Sequence, residues 1–139
     1  MKIILVEANK KIREKWAQAF SELGFSCHTH DRAYEAVVDC ESDDDDKTDI
    51  LVLGLDLPIM NGRAYVQAQI NSFRFFTKPL VLVIPSSLTC SDFKTAALNQ
   101  YLVNSEDLSC LVGKVNQIFN SKHPSNFSSS SNSDQNSLQ

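Results

Sequence analysis

The chain has 139 residues, 42% of them apolar and 22% charged, with a net charge of −4 at neutral pH. That length suits one domain with a proper core and is too short for two of ordinary size. The longest apolar runs, "IILV" and "LVLVI", are far too short to cross a bilayer, and no dense basic stripe of the kind that binds nucleic acid is present.

The N-terminus lacks the apolar stretch and cleavage site of a signal peptide, so the expectation is a cytoplasmic protein with neither membrane nor nucleic acid as partner. Cys27, Cys40, Cys90 and Cys110 form no CxxC pair and read as small buried or half-buried thiols, with neither a zinc site nor a redox motif. Seven acids and one lysine lie between Asp39 and Asp49, a local charge of −6 that leaves the remainder at +2. The acidity therefore belongs to a loop and not to the body of the fold.

Strand-like and helix-like patterns alternate, the signature of a parallel α/β sheet. "KIILV" is the first strand. Asn9 is positioned as an N-cap for a helix with Ile12, Trp16, Phe20 and Leu23 at helical spacing, and Gly24 closes it. "FSCHT" is the second strand, with Phe25, Cys27 and Thr29 on one face, followed by a short helix capped at Asp31 and carrying Ala33, Ala36, Val37 and Cys40. The third strand, built from Ile50, Leu51, Val52 and Leu53, ends at Gly54, and "DLPIMNG" leads to a helix with Ala64, Tyr65, Ala68 and Ile70. "PLVLVI" is the fourth strand, and Ser91 or Asp92 caps a predicted fourth helix through Phe93, Ala97 and Leu98. "QYLV" is the fifth strand. The last helix places Leu108, Leu111, Val112, Val115, Ile118 and Phe119 on one face, with Ser105 and Glu106 or Asp107 at its start. From Ser121 the sequence turns to Ser, Asn and Gln and reads as a disordered tail, which gives a domain over 1–120 and a tail over 121–139.

This order of elements, with "TDILVLGLDLPIMNG" at the third strand and "QYLVNSEDL" near the end, resembles the receiver domain of bacterial response regulators over about residues 2 to 120. The resemblance implies a flavodoxin-like doubly wound five-stranded parallel sheet with five helices. It also implies transfer of a phosphoryl group from a histidine kinase to an aspartate after the third strand, beside a magnesium ion held by acidic residues, with a lysine and a hydroxyl residue on the phosphoryl oxygens. Asp49 to Leu53, Pro58, Met60, Asn61 and Gly62 match the middle phrase in register, and Gly54 stands where the acceptor aspartate is expected. The acidic pair becomes Glu7 and Ala8, the hydroxyl residue becomes Ile84, and the lysine and its proline become Asn104 and Ser105. The expectation is a pocket that keeps its architecture and has lost its reagent, with no cofactor and no metal.

Other residues have two readings each. Asp56 is a displaced acceptor or a solvent-facing turn residue. Asp43 to Asp46 lack the alternating ligands of a calcium loop and read as solvated. His28 and His30 share a strand face, which permits a metal but suits a surface pair better, and His123 opens the tail. Lys10, Lys11, Arg13 and Lys15 form a solvated basic face or a docking patch. Tyr101 matches the aromatic residue that changes rotamer in receivers, or it simply packs.

The leading reading is a non-enzymatic, phosphorylation-independent protein-interaction module, monomeric or weakly dimeric. It would bind a protein partner through the face of the fourth helix, fifth strand and fifth helix, with Tyr101, Val103 and Asn104 as partner-binding candidates. The alternative is an atypical receiver still phosphorylated at Asp56 with help from Glu7. A small ligand-binding domain would need a phosphate loop, which the four glycines do not form.

Overall fold

The computed structural model describes residues 2–41, 48–55, 62–104 and 108–122. Asp43 to Asp46, Asp56, Pro58, Met60, Asn61, Ser105 to Asp107 and the tail from His123 onward lie outside the described residues.

Five parallel strands form one sheet in the order β2-β1-β3-β4-β5: β1 (Lys2–Val6), β2 (Ser26–His30), β3 (Thr48–Gly54), β4 (Leu80–Ile84) and β5 (Gln100–Asn104). Four helices accompany them: α1 (Lys10–Glu22), α2 (Ala33–Glu41), α3 (Gly62–Ser72) and α4 (Leu108–Lys122). The strands of the middle, β1, β3 and β4, are aliphatic runs because both their faces are covered. Alternate residues feed two core layers. Ile3, Leu5, Ile50, Val52, Val81, Val83 and Val103 pack with Trp16 and Phe20 of α1 and with Leu111, Val115 and Ile118 of α4. Ile4, Val6, Leu51, Leu53, Leu80, Leu82 and Ile84 pack with Ala36 of α2, Val66 and Ile70 of α3, and Phe93.

Helix α1 is fixed at both ends. The Asn9 side-chain oxygen accepts from the Ile12 N–H at 3.1 Å. At the other end Gly24 adopts φ +91, its N–H donates to Ser21 and the Phe25 N–H donates to Phe20 at 3.1 Å. The Phe20 and Phe25 rings then meet edge to face with centroids 6.0 Å apart, the apolar contact expected of such a terminus. Ile12 and Leu23, expected in the buried stripe, are instead exposed at the margins of the helix. In α3 the buried residues are Val66 and Ile70, while Ala64 and Ala68 face outward. Cys110 is exposed, contrary to the reading of buried or half-buried thiols. Helix α4 extends to Lys122, two residues into the segment read as tail.

The predicted fourth helix is not formed. Residues Cys90–Asp92 make a single 3₁₀ turn, and the backbone from Phe93 to Asn99 is irregular. Phe93 alone is buried and fills the second layer where a helix face was expected. Side-chain amides satisfy this stretch in place of helical bonds. Gln67 exchanges two hydrogen bonds with the Lys94 backbone. Asn99 donates to the Phe76 and Lys78 carbonyls at 2.6 and 2.7 Å. The buried Gln100 accepts from the Ala96 N–H at 2.6 Å and donates to the Ile70 carbonyl at 2.9 Å.

No described helix is long and apolar enough to cross a membrane.

Candidate functional site

Strand order reverses direction between β1 and β3, so the crevice beyond their carboxyl ends is where a sheet of this topology places chemistry. Glu7 follows β1 immediately, and its N–H continues the ladder by donating to the His30 carbonyl at 3.1 Å. Side-chain alternation then sends Glu7 to the same face as Ile3 and Leu5, the face that carries Trp16. Gly54, last residue of β3, opens onto the same spot.

The space at Gly54 is filled. A Cβ there would overlap Glu7 Oε1 and would lie 3.2 Å from both Trp16 Cζ3 and the Val6 carbonyl oxygen. The Glu7 carboxylate is buried, 6% exposed, and its Oε2 accepts from the Asn9 N–H at 2.7 Å. Arg13 Nη1 donates to the Glu7 carbonyl at 2.7 Å and to the Ala8 carbonyl at 3.4 Å, holding the turn from above. The expectation of an emptied pocket is therefore corrected: the missing side chain at position 54 is the condition for a longer one to fold in from position 7. Glutamate reaches because it carries one methylene more than aspartate, and glycine admits it because it carries none.

The remaining candidates do not join this cluster. Ala8 is exposed. Ile84 is fully buried in the second core layer, opposite the layer that holds Trp16. Asn104 pairs with Ile84 across β4 and β5, and its Nδ2 donates to the Leu88 carbonyl at 3.0 Å, so it binds the loop after β4. Val103 is 5% exposed and belongs to the first core layer; as a partner-binding candidate it is corrected to a packing residue. Tyr101 is half-buried against that same layer with Lys114 Nζ 5.8 Å from its ring centroid. The fourth-helix part of the expected partner face is absent with the helix itself. Trp16 and Asn9 belong to the site although their expected roles were only helical, and Arg13, expected on a solvated basic face or docking patch, ties down the Glu7 backbone.

The described residues do not fit a magnesium site. A hard dication wants several oxygens. Here one carboxylate is present, it already accepts from the Asn9 amide, and no group of three potential ligands occurs among the described residues. His28 and His30 accordingly form no such group.

No family model and no curated protein matches the sequence. Solved structures do. A two-component response regulator from Clostridium difficile is 22% identical, with TM-score 0.64, over 90% of this chain and 99% of that one. The signal receiver domain of an HD domain-containing protein from Pseudomonas fluorescens Pf-5 is 20% identical, with TM-score 0.61, over 89% and 98%. A chain from the complex of histidine kinase ThkA with response regulator TrrA is 20% identical, with TM-score 0.58, over 84% and 97%. With its strand order and its two core layers, the chain has the CheY-like receiver fold of two-component response regulators.

Proposed function

We propose that this domain is a signalling module that binds a protein partner without a phosphorylation cycle and without enzymatic activity of its own. The observation that carries the reading is the close approach of Glu7 to Gly54: a carboxylate supplied from β1 occupies the place where an acceptor side chain would stand. A receiver switches when a charged group arrives at this point. Here the charge is built in, tethered to the Asn9 amide and packed beside Trp16, so a single state is populated and a partner meets a constant surface.

The partner face is formed by β5 and α4, where Tyr101 is half-exposed beside Lys114. A protein partner is in keeping with the TrrA receiver-fold relative, which was solved in complex with a histidine kinase. An aromatic ring with an adjacent cation suits a partner side chain that is apolar at its base and acidic at its tip.

Incubation of the full chain with acetyl phosphate and magnesium, followed by intact-mass measurement, tests the assignment. The expected spectrum shows the unmodified mass alone. A phosphoryl adduct mapped to Asp56 would establish the atypical receiver instead. Tyr101→Ala is expected to weaken capture of the partner by about tenfold or more while leaving the fold intact.

A further inference from the structure

At the opposite end of the sheet from Glu7, the loop between α3 and β4 is stitched to the irregular segment before β5. Asn99 Nδ2 bonds the Phe76 and Lys78 carbonyls, and the Leu80 N–H donates to the Asn99 carbonyl at 2.9 Å. One residue upstream of each partner in the Asn99–Phe76 bond stands a large apolar side chain in water: Phe75 is 80% exposed and Leu98 is 100% exposed. They are the two most exposed large apolar residues among the described residues. Core packing does not account for them. Their neighbours Phe73 and Phe76 turn inward and meet edge to face at 6.2 Å, which anchors the backbone beneath them.

The charge within the two segments that carry the pair is of one sign. Arg74 lies over the Phe75 ring at 4.7 Å, with its Nη1 fixed to the Asn71 carbonyl at 2.9 Å. Lys94 heads the second segment, its backbone clamped to Gln67. Neither cation has a carboxylate within ion-pair reach among the described residues, and the stretches 73–78 and 94–99 contain no acid. Arg74 and Phe75 thus form a prepaid stack, held before any partner arrives, which lowers the ordering cost of binding.

We infer that this seam is a second docking surface, for an acidic protein segment that carries bulky apolar side chains. Exposed apolar area gives the attraction, and the two cations select the charge of the partner. The surface lies at the amino ends of β4 and β5, at the far end of the sheet from Glu7, and is built from residues other than Tyr101 and Lys114, so its observations are independent of the proposal above.

The probe is a synthetic peptide in which Asp and Glu alternate with Leu and Phe, titrated into the ¹⁵N-labelled full chain, with a control peptide carrying Asn and Gln at the acidic positions. Amide shifts are expected in residues 73–78 and 94–99, and affinity should fall by about fivefold or more when salt is raised from roughly 0.05 to 0.5 M. Phe75→Ser with Leu98→Ser should weaken binding about tenfold with the melting temperature unchanged, since both side chains are already in water. Arg74→Gln with Lys94→Gln should weaken the acidic peptide and not the neutral one. The inference is overturned by equal binding of the two peptides, by shifts centred on Tyr101 and Lys114, or by no binding. Concentration-dependent self-association that Phe75→Ser and Leu98→Ser abolish would place a second copy on the seam and overturn it equally.

Discussion

Replacing Gly54 by alanine puts a methyl group where Glu7 Oε1 already lies. Trp16 is 3% exposed within the core and the Val6 oxygen is part of a strand, so the flexible glutamate is the group that gives way. Its displacement breaks the 2.7 Å bond to the Asn9 N–H, a bond to a charged acceptor that contributes about 1.5–3 kcal/mol. The two contacts at 3.2 Å add a smaller overpacking cost. Alanine recovers about 0.5–1 kcal/mol of backbone entropy relative to glycine in a strand. The net expectation is a loss of about 1–3 kcal/mol, or a melting temperature lower by roughly 4–12 °C for a domain of this size. Urea unfolding followed by the emission of Trp16, the single tryptophan, reads both stability and the environment of the ring. The decisive comparison is a double-mutant cycle with Glu7→Ala. Once the carboxylate is gone the methyl group has room, so the two substitutions together should cost less than their sum by about 1 kcal/mol or more. Strict additivity, or a Gly54→Ala protein as stable as the parent, would show that the carboxylate does not occupy this space.

Introducing two aspartates, Ala8→Asp with Gly54→Asp, should fail to produce magnesium binding in calorimetry, because the new side chain at position 54 meets Glu7; a saturable site in that variant would refute the packing described here. Gln100→Ala should destabilise the fold by about 2–4 kcal/mol in urea titration, since it leaves the Ile70 carbonyl and the Ala96 N–H without their partner. Burial pushes the Cys27 thiol up to about 11 from its usual 9.0. The unfolded chain therefore ionises first, so stability contributed by the neutral thiol is complete below pH 9 and declines as pH rises toward 11. The melting curve of Cys27→Ala should lose part of that alkaline decline, and iodoacetamide should label the exposed Cys110 well before Cys27.

The sheet was legible in the sequence because its strands are buried on both faces, and uninterrupted runs such as Leu80–Ile84 have few alternative explanations. Helix α1 was legible because Asn9 and Gly24 mark its ends by local hydrogen bonding alone. The predicted helix through Phe93, Ala97 and Leu98 was not, since its few apolar residues fit helical spacing while the bonds that decided the outcome come from Gln67, Asn99 and Gln100, distant or downstream amides. At the site, sequence showed that Gly54 lacks a nucleophile and could not show what fills the gap. The signal was there in two positions read separately: a glycine at the end of β3 and a glutamate, longer than aspartate, at the end of β1. Their meeting depends on the pairing of β1 with β3, which sets Val6 opposite Leu53.

Asn99 uses both hydrogens of its amide nitrogen, one for the Phe76 carbonyl and one for the Lys78 carbonyl. Hydrolysis of that amide to a carboxylate, the slow spontaneous damage to which asparagine is prone, would exchange two donors for oxygens that can only accept. Two carbonyls would then face a negative charge, and the stretch before β5 would lose a tie that a helix would have supplied many times over from its own backbone. Replacement by aspartate at position 99 reproduces that loss on demand.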